Sequence, residues 1–209
     1  PRNTIMLICF DIGGVLVRIC RTWEEGCRAA QVPVRPFEGD ADHMDRKRSL
    51  VADLQRGEID DATFHRRLSD SFDHVWSVEE VARIDSAWLR GPYPGTSEVV
   101  ADLRRAGIAT ACLSNTSEGH WRSLLTYENV AGLGSRHASH LMGLVKPDPR
   151  IYAAFEARMD LRPSEIVFFD DLQSNIDSAV DRGWRAVRID HEGDTASQIR
   201  TALDDIGIL

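Results

Sequence analysis

Side chains that could attack, hold or neutralise a charged group follow four apolar runs of the sequence. They are Asp11 after the run 5–10, Ser114 and Asn115 after 108–113, Lys146 beyond the weaker run 137–141, and Asp170 and Asp171 after 166–169. In an open parallel sheet, ligands bind beyond the carboxyl ends of the strands. If these runs are parallel strands, we therefore expect the side chains that follow them to meet at one edge.

The three carboxylates of this set would repel one another at such an edge. Two carboxylates about 4 Å apart repel by roughly 4 kcal/mol at an effective dielectric constant near 20. A hard divalent cation with oxygen ligands removes that repulsion, and magnesium is the usual ion where phosphate is also bound. Asp11, Asp170 and Asp171 therefore predict a Mg2+ site.

The same residues suit the transfer of a phosphoryl group. We predict that Asp11 attacks phosphorus and forms an aspartyl-phosphate. Mg2+ and Lys146 would neutralise the phosphoryl oxygens, and the Ser114 hydroxyl would donate to one of them. Backbone amides around Gly14 and Asn115 would supply the remaining donors, because glycine permits close approach.

The apolar runs themselves predict the sheet that must position these residues. The runs 5–10, 108–113, 166–169 and 186–189 lack polar alternation, which is typical of strands buried on both faces of a parallel sheet. Helical patterns separate or follow these runs, at 97–105, 149–159, 174–182 and from Asp194 to about Asp205. Alternating strands and helices predict a doubly wound α/β fold with a five-stranded parallel sheet, in which 137–141 is the weakest strand.

The segment 21–90 has helical periodicity and no convincing strand. Ser77 and Glu80 form a capping-box pattern that predicts a helix to about Leu89, and another helix is expected from Asp60 or Asp61 to Leu68. The stretch 91–95, with its glycines and prolines, predicts a hinge-like return. We therefore predict a core of residues 1–18 and 95–209, and an all-helical domain of residues 19–94 that acts as a lid over the site.

Composition narrows the class of protein further. The 209-residue chain has a formal net charge of -8, which argues against binding to nucleic acid or to an anionic membrane. Its four cysteines form no CxxC pair and no disulfide-like spacing, which favours a reducing, cytoplasmic setting. The run 5–10 is too short for a signal or membrane segment. We expect a small phosphorylated metabolite as the partner, and the sequence predicts no oligomeric state.

Four motifs together resemble those of the haloacid dehalogenase superfamily of phosphohydrolases. They read ICFDIGGVL at 8–16, CLSNT at 112–116, VKPDP at 145–149, and VFFDD followed by Asn175 at 167–175. The resemblance is to the C1-capped subfamily IA, and it implies a parallel core in strand order 5-4-1-2-3 with a helical cap inserted after strand 1. It also implies phosphate esters of small metabolites as substrates. The implied Mg2+ ligands are Asp11, the carbonyl of Gly13 and Asp171, with Asp170 adjacent.

Gly13 departs from the pattern of that family. Its phosphatases usually carry a second aspartate there, which protonates the leaving group, and such general acid–base catalysis is typically worth about 10²–10⁴-fold. Candidate substitutes in the predicted lid are Asp42, His43 and Asp45, with Glu24 and Glu25 near its start. The chain also resembles a bacterial subgroup that has glycine at this position and includes sugar-1-phosphate phosphatases. The anomeric leaving group of those substrates is less basic and depends less on an acid.

Two other functions remain open at this point. The protein could bind a phosphorylated metabolite or a partner without turning it over, although a pure binder has no need of the Asp11 nucleophile. Alternatively, it could hydrolyse a carbon–phosphorus bond, because a small residue replaces the second aspartate in that branch and a cap lysine forms a Schiff base. Lys47 is the lysine available for this role, although its position between Arg46 and Arg48 is equally typical of a solvated face.

Overall fold

A five-stranded parallel sheet forms the centre of the protein. The computed structural model describes residues 6–37, 39 and 41–208, with the backbone alone at 41–43. The strands are β1 (Leu7–Phe10), β2 (Val17–Ile19), β3 (Leu89–Pro92), β4 (Ala109–Ser114), β5 (Ser135–Ala138), β6 (Ile166–Asp170) and β7 (Arg185–Arg188). The sheet has the order β5-β4-β1-β6-β7. If the five strands of this sheet are numbered 1 to 5 in chain order, their order is 5-4-1-2-3, starting from the edge strand β7.

Helices connect the strands and cover both faces of the sheet. They are α1 (Trp23–Ala29), α2 (Ala41–Gln55), α3 (Asp61–Ser71), α4 (Val78–Ser86), α5 (Thr96–Arg105), α6 (Glu118–Leu124), α7 (Glu128–Ala131), α8 (Ser139–Met142), α9 (Pro149–Met159), α10 (Gln173–Asp181) and α11 (Thr195–Asp205). The fold is therefore α/β with a parallel sheet, as the alternation of apolar runs and helical patterns predicts.

The two faces of β1 show why its run is apolar throughout. Ile8 and Phe10 face a cluster that includes residues of α5 and α11, whereas Leu7 and Cys9 face a second cluster formed with α9 and α10. The central strand is thus buried on both sides, and each large apolar side chain buried there stabilises the fold by about 1.5–3 kcal/mol. The carboxyl end of β1, which carries Asp11, is thus anchored between two apolar clusters.

The prediction that 21–90 lacks strands and that 91–95 is a hinge is wrong in one respect. β2 and β3 pair as antiparallel strands, with Val17 opposite Pro92 and Ile19 opposite Leu89. The two connections between the sheet and the helices therefore lie side by side as β2 and β3. The helix that was predicted to reach Leu89 ends at Ser86, because Leu89 begins β3. The sequence of β3, which contains glycine and proline, conceals this pairing because both residues are depleted in strands.

The weakest predicted strand is also displaced. The strand is Ser135–Ala138, and residues 139–141, which were expected to belong to it, lie in the short helix α8 (Ser139–Met142). Ser139 explains the break, because its buried hydroxyl accepts from the Thr116 amide (2.9 Å) and donates to the carbonyl of Gln55 (2.6 Å). These bonds turn the chain toward α2 instead of extending β5.

The segment between β2 and β3 (residues 20–88) contains α1–α4 and is called the helical insertion. It has an apolar core of its own. Cys27, Phe64, Leu68, Trp76 and Ile84 belong to this cluster, and each is at most 5% exposed. The cluster is separate from the two that cover the sheet. None of the helices in the described residues is long and apolar enough to cross a membrane.

A half-buried group of two histidines and one carboxylate, His65, His120 and Asp85, joins the helical insertion to α6. His65 Nε2 lies 3.0 Å from one Asp85 oxygen, and His120 Nε2 lies 2.8 Å from the Asp85 carbonyl and 3.3 Å from its other carboxylate oxygen. Burial raises the pKa of Asp85, but the hydrogen bonds from both histidines lower it by more. Burial lowers the pKa of His120, but Asp85 raises it by more, and the result is a pKa above the usual histidine value.

We expect Asp85→Asn to destabilise the protein more at pH 6 than at pH 8.5. The His120 contribution is complete below its unfolded pKa of about 6.5 and is lost as pH rises through the raised folded pKa, whereas the Asp85 contribution is present above about pH 4. Loss of these charged hydrogen bonds should cost about 1.5–3 kcal/mol at pH 6. Urea unfolding at both pH values measures this.

The matched control for that experiment is Asp70→Asn. Asp70 also pairs with a histidine, His74, but both side chains are well exposed, at 63% and 70%. An exposed pair contributes little, so the control should change stability by less than about 1 kcal/mol at either pH. If Asp85→Asn lowers the free energy of unfolding equally at both pH values, His120 is not charged in its pair with Asp85.

Candidate active site

Asp11 lies at the carboxyl end of the central strand β1. Its backbone amide donates to the carbonyl of Phe169 (2.8 Å), which fixes it against β6. Phe10 is in register with Cys112 on one side and with Phe169 on the other. Ser114 at the end of β4 and Asp170 at the end of β6 therefore lie on the two neighbouring strands, beside Asp11.

Lys146 reaches this edge from the loop before α9 and is 4% exposed. Its Nζ lies 2.7 Å from Asp170 Oδ2, 3.1 Å from Asp11 Oδ1 and 5.1 Å from the centre of the Phe168 ring. Burial lowers the pKa of Lys146, but Asp11 and Asp170 raise it by more, so that it lies well above the usual lysine value. The side chain is thus a permanent buried cation between two carboxylates.

Two asparagines position these charges. The Asn115 side chain donates to the Lys146 carbonyl and accepts from its amide, both at 2.9 Å, and so clamps the loop that carries the lysine. Asn175 Nδ2 donates to both oxygens of Asp170 at 3.0 Å, and the Leu172 amide also donates to this carboxylate. The Asn115 side chain is thus used within the protein itself, and its backbone amide is the donor that the sequence predicts for the phosphate.

The carboxylates of Asp11, Asp170 and Asp171 form a buried cluster. One oxygen from each lies within 4.8 Å of the others. The pKa of Asp11 is raised to about 7, mainly by burial. Lys146 lowers this pKa, and the negative charges of Asp170 and Asp171 raise it further. Three oxygen donors this close fit a hard divalent cation such as Mg2+, which would favour the ionised form of all three.

Arg21 also lies at this end of the sheet, and none of the sequence motifs includes it. It follows β2 at the start of the helical insertion, and its Nη1 donates to Asp171 Oδ2 at 2.8 Å. Its Nη2 is buried and has no hydrogen-bond partner among the described residues. No local pattern indicates this contact, because Arg21 and Asp171 are 150 residues apart in the chain.

Gly14 is required by both backbone conformation and space. Its φ is +82°, and a Cβ at this position would lie 2.5 Å from Asp171 Oδ2. A Cβ on Gly13 would meet the side chain of Ile19, whose Cδ1 would lie 3.2 Å away. The glycine turn therefore lets the carboxylate of Asp171 approach the backbone that follows Asp11.

We expect Gly14→Ala to reduce both stability and divalent-metal affinity. The positive φ costs of order 1–3 kcal/mol in a non-glycine residue, and the Cβ also displaces Asp171. Gly107→Ala is the matched control, because Gly107 has a φ of +72° but no atom within 4 Å of its added Cβ. Thermal melts with and without Mg2+ separate the two effects, and equal losses in both variants would contradict the crowding at Gly14.

A cavity of about 350 Å³ lies between this edge and the helical insertion. Gly13, Ser114 and Asn115 line it from the sheet, and Lys47 and Trp88 line it from the insertion. The cavity therefore places side chains of the insertion opposite residues of the predicted phosphate site.

The described candidates for the missing acid, Glu24, Glu25 and Asp45, do not line this cavity. Asp45 is 73% exposed and pairs with Arg48, while Glu24 pairs with Arg28 on the surface. The carboxylate of Glu25 accepts from the Arg21 amide at 2.7 Å. The side chains of Asp42 and His43 lie outside the part of the chain that the structure describes.

A family model agrees with this architecture. The model for the haloacid dehalogenase-like hydrolases matches residues 5–181. The matched stretch runs from β1 to the end of α10 and so includes every residue of the site described above.

Two phosphatases are similar to this chain in sequence. A phosphatase of Mycobacterium tuberculosis is 25% identical over 138 residues, which are 63% of this chain and 61% of that protein. The match thus spans less than two thirds of that relative. A D-ribitol-5-phosphate phosphatase of Bacteroides thetaiotaomicron is 24% identical over 211 residues, or 94% of this chain and 98% of that protein.

A solved structure shares the fold. It is a haloacid dehalogenase family enzyme of Bacteroides thetaiotaomicron, determined in complex with magnesium and inorganic phosphate. Its TM-score is 0.73 at 18% identity, over 94% of this chain and 100% of that chain.

Proposed function

Since this chain belongs to the haloacid dehalogenase-like hydrolase family, we propose that it is a phosphatase that hydrolyses a small phosphate monoester at Asp11. The observation that carries the proposal is the buried group of Asp11, Lys146, Asp170 and Asp171 at the carboxyl end of the sheet. A pure binding site has no need of a carboxylate at the point of phosphate attachment. The relatives described as phosphatases support the same conclusion.

Mg2+ is the cofactor that fits this site. Asp11, Asp171 and the carbonyl of Gly13 would hold it, with Asp170 adjacent and bonded to Lys146 and Asn175. A bound Mg2+ would offset negative charge on the phosphoryl oxygens. The related enzyme whose structure contains magnesium and phosphate supports this choice of ion.

The residues of the chain divide the reaction into two steps. An oxygen of Asp11 attacks phosphorus, and the bond from phosphorus to the leaving oxygen breaks, which leaves an aspartyl-phosphate. Lys146 would neutralise charge on the phosphoryl oxygens, and the Ser114 hydroxyl and the Asn115 amide would donate hydrogen bonds to them. The Gly14 amide, which the sequence predicts as a further donor, instead donates to the Val17 carbonyl at 2.9 Å. Water then attacks phosphorus, which releases inorganic phosphate and restores the Asp11 carboxylate.

The leaving group must manage without an acid at Gly13. The space beside this glycine is taken by Ile19, and a methyl side chain would already touch it. A weakly basic leaving oxygen needs little protonation, and we therefore propose substrates of this kind, of which sugar 1-phosphates are the class implied by resemblance. We expect the rate to fall steeply as the pKa of the leaving alcohol or phenol rises.

A carbon–phosphorus bond hydrolase is the second candidate, and one observation favours it. Lys47 lines the same cavity as Gly13, and burial lowers its pKa, as an amine that forms an imine requires. Borohydride treatment with phosphonoacetaldehyde tests this directly. A mass increase at Lys47 supports this activity, and the absence of an adduct rejects it.

The test of the main proposal is Mg2+-dependent release of phosphate from p-nitrophenyl phosphate, followed by a panel of metabolite esters. We expect EDTA to abolish turnover and added Mg2+ to restore it. If the pure protein binds Mg2+ but hydrolyses no ester of the panel, it is a binding protein and the proposal is wrong.

A further inference from the structure

The cavity beside the site carries a cation at its far wall. Lys47 on α2 is half-buried, and its Nζ lies 5.3 Å from the centre of the Trp23 ring and 5.6 Å from that of Phe72. No carboxylate of the described residues forms an ion pair with it. Burial lowers its pKa. Its neighbour Arg48, by contrast, is 74% exposed and pairs with Asp45.

A second donor on the same wall lacks an acceptor. The indole Nε1 of Trp23 is buried and has no hydrogen-bond partner among the described residues. A buried polar group without a partner costs about 1–3 kcal/mol, and a cation without one costs more. Lys47 and Trp23 both line the cavity, and neither donor has an acceptor among the described residues, which indicates a ligand that supplies one.

The rest of the cavity limits what that ligand contains. Most of its other lining side chains in the helical insertion are aliphatic or aromatic, among them Val51, Leu54, Phe64 and Leu68. Asp85 and His120 also line it, but they are bonded to each other. Arg21 and Gln55 are further polar side chains that line the cavity, and the aliphatic and aromatic part of the insertion suits an apolar spacer.

We propose that Lys47 and Trp23 bind a carboxylate on the leaving group, so that the substrate is a phosphate monoester whose largely apolar organic part carries one carboxylate. This inference rests on the proposed function and narrows its substrate class. A carboxylate fits better than a second phosphate, because this wall offers a single cation and one neutral donor, whereas a phosphate dianion calls for more positive charge.

Two aryl esters of the same shape test the inference. In 4-carboxyphenyl phosphate the group opposite the phosphate is charged, and in 4-carbamoylphenyl phosphate it is a neutral amide. We expect the wild-type protein to prefer the carboxylate by about 10-fold or more in kcat/KM, the usual effect of one charge-assisted hydrogen bond. The preference should appear in KM.

Variants assign that preference to the cation. Lys47→Met keeps the length of the side chain and should remove most of the preference, because KM rises more for the carboxylate ester than for the amide ester. Lys47→Arg should keep part of it, and Trp23→Phe should lose about 3–10-fold for the carboxylate alone. Arg48→Met removes a neighbouring exposed cation and should leave both esters unaffected. Melting temperatures establish that each variant is folded.

Failure of the inference and failure of the proposed function give different results. If both esters are hydrolysed equally, if Lys47→Met slows both alike, or if a sugar 1-phosphate is a better substrate than the carboxylated ester, the inference is wrong and the phosphatase stands. If neither ester is hydrolysed and Mg2+ adds nothing, the proposed function fails and the inference fails with it.

Discussion

Asp11→Asn should abolish phosphate release while the protein stays folded. The amide has nearly the same shape as the carboxylate but is a poor nucleophile, and it cannot form the aspartyl-phosphate. Removing a covalent nucleophile has cost on the order of 10⁶-fold in kcat in a well-measured protease, and we expect a loss of at least about 10³-fold here. Phosphate release from p-nitrophenyl phosphate under saturating Mg2+ measures the effect.

The control for this experiment is Asp45→Asn, which makes the same change at a carboxylate that is 73% exposed. It should leave kcat and KM unchanged. Trapping of labelled phosphate on the wild-type protein, with the label found at Asp11 by mass spectrometry, supports the covalent step. Residual activity of Asp11→Asn within 10-fold of the wild type would show that another group attacks phosphorus.

Lys146→Met should produce the largest loss of stability of any single change at the site. It leaves Asp11 and Asp170 buried together without the cation that lies 2.7–3.1 Å from them. Breaking a buried ion pair by removing one partner typically costs about 3–5 kcal/mol. Urea unfolding in EDTA measures the loss, and we also expect phosphatase activity to disappear, since the cation at the phosphoryl oxygens is gone.

A double variant separates the lost charge from lost packing. Adding Asp170→Asn to Lys146→Met removes one of the two uncompensated carboxylates, so the double variant should be more stable than Lys146→Met alone. Both variants carry the same methionine substitution beside the Phe168 ring, so packing at this position is the same in the two proteins. A double variant that loses the sum of the two single effects would indicate that the charges do not interact.

The positions of the strands could be predicted because burial on both faces leaves a continuous apolar run. The ends of β1, β4 and β6 lie within two residues of those expected. The edge strand β7 lies within one residue of the run 186–189, although its residues are only partly buried. The strand Ser135–Ala138 was displaced because an edge strand is less buried and its pattern is weaker: Arg136 is exposed, whereas every residue of β6 is buried. The pairing of β2 with β3 was missed because it depends on segments about 70 residues apart.

The spacing of residues along α2 distinguishes the face that lines the cavity from the face that is exposed to solvent. Lys47, Val51 and Leu54 are spaced i, i+4 and i+7, which places them on one face of a helix. That face lines the cavity, whereas Arg48 points to solvent. The spacing distinguishes Lys47 from the arginines beside it, although it does not reveal the rings of Trp23 and Phe72 around it.

The sequence by itself determined that Asp11, Ser114, Lys146 and the Asp170–Asp171 pair would meet at one edge, because parallel strands bring their carboxyl ends together whatever lies between them. Only the tertiary structure decided how these groups are partnered. Asn115 holds the Lys146 loop, and Arg21 reaches Asp171, because the chain folds back on itself over long distances. Asp11 thus shares a buried site with one lysine and two further carboxylates, and charge balance there depends on contacts that no local pattern encodes.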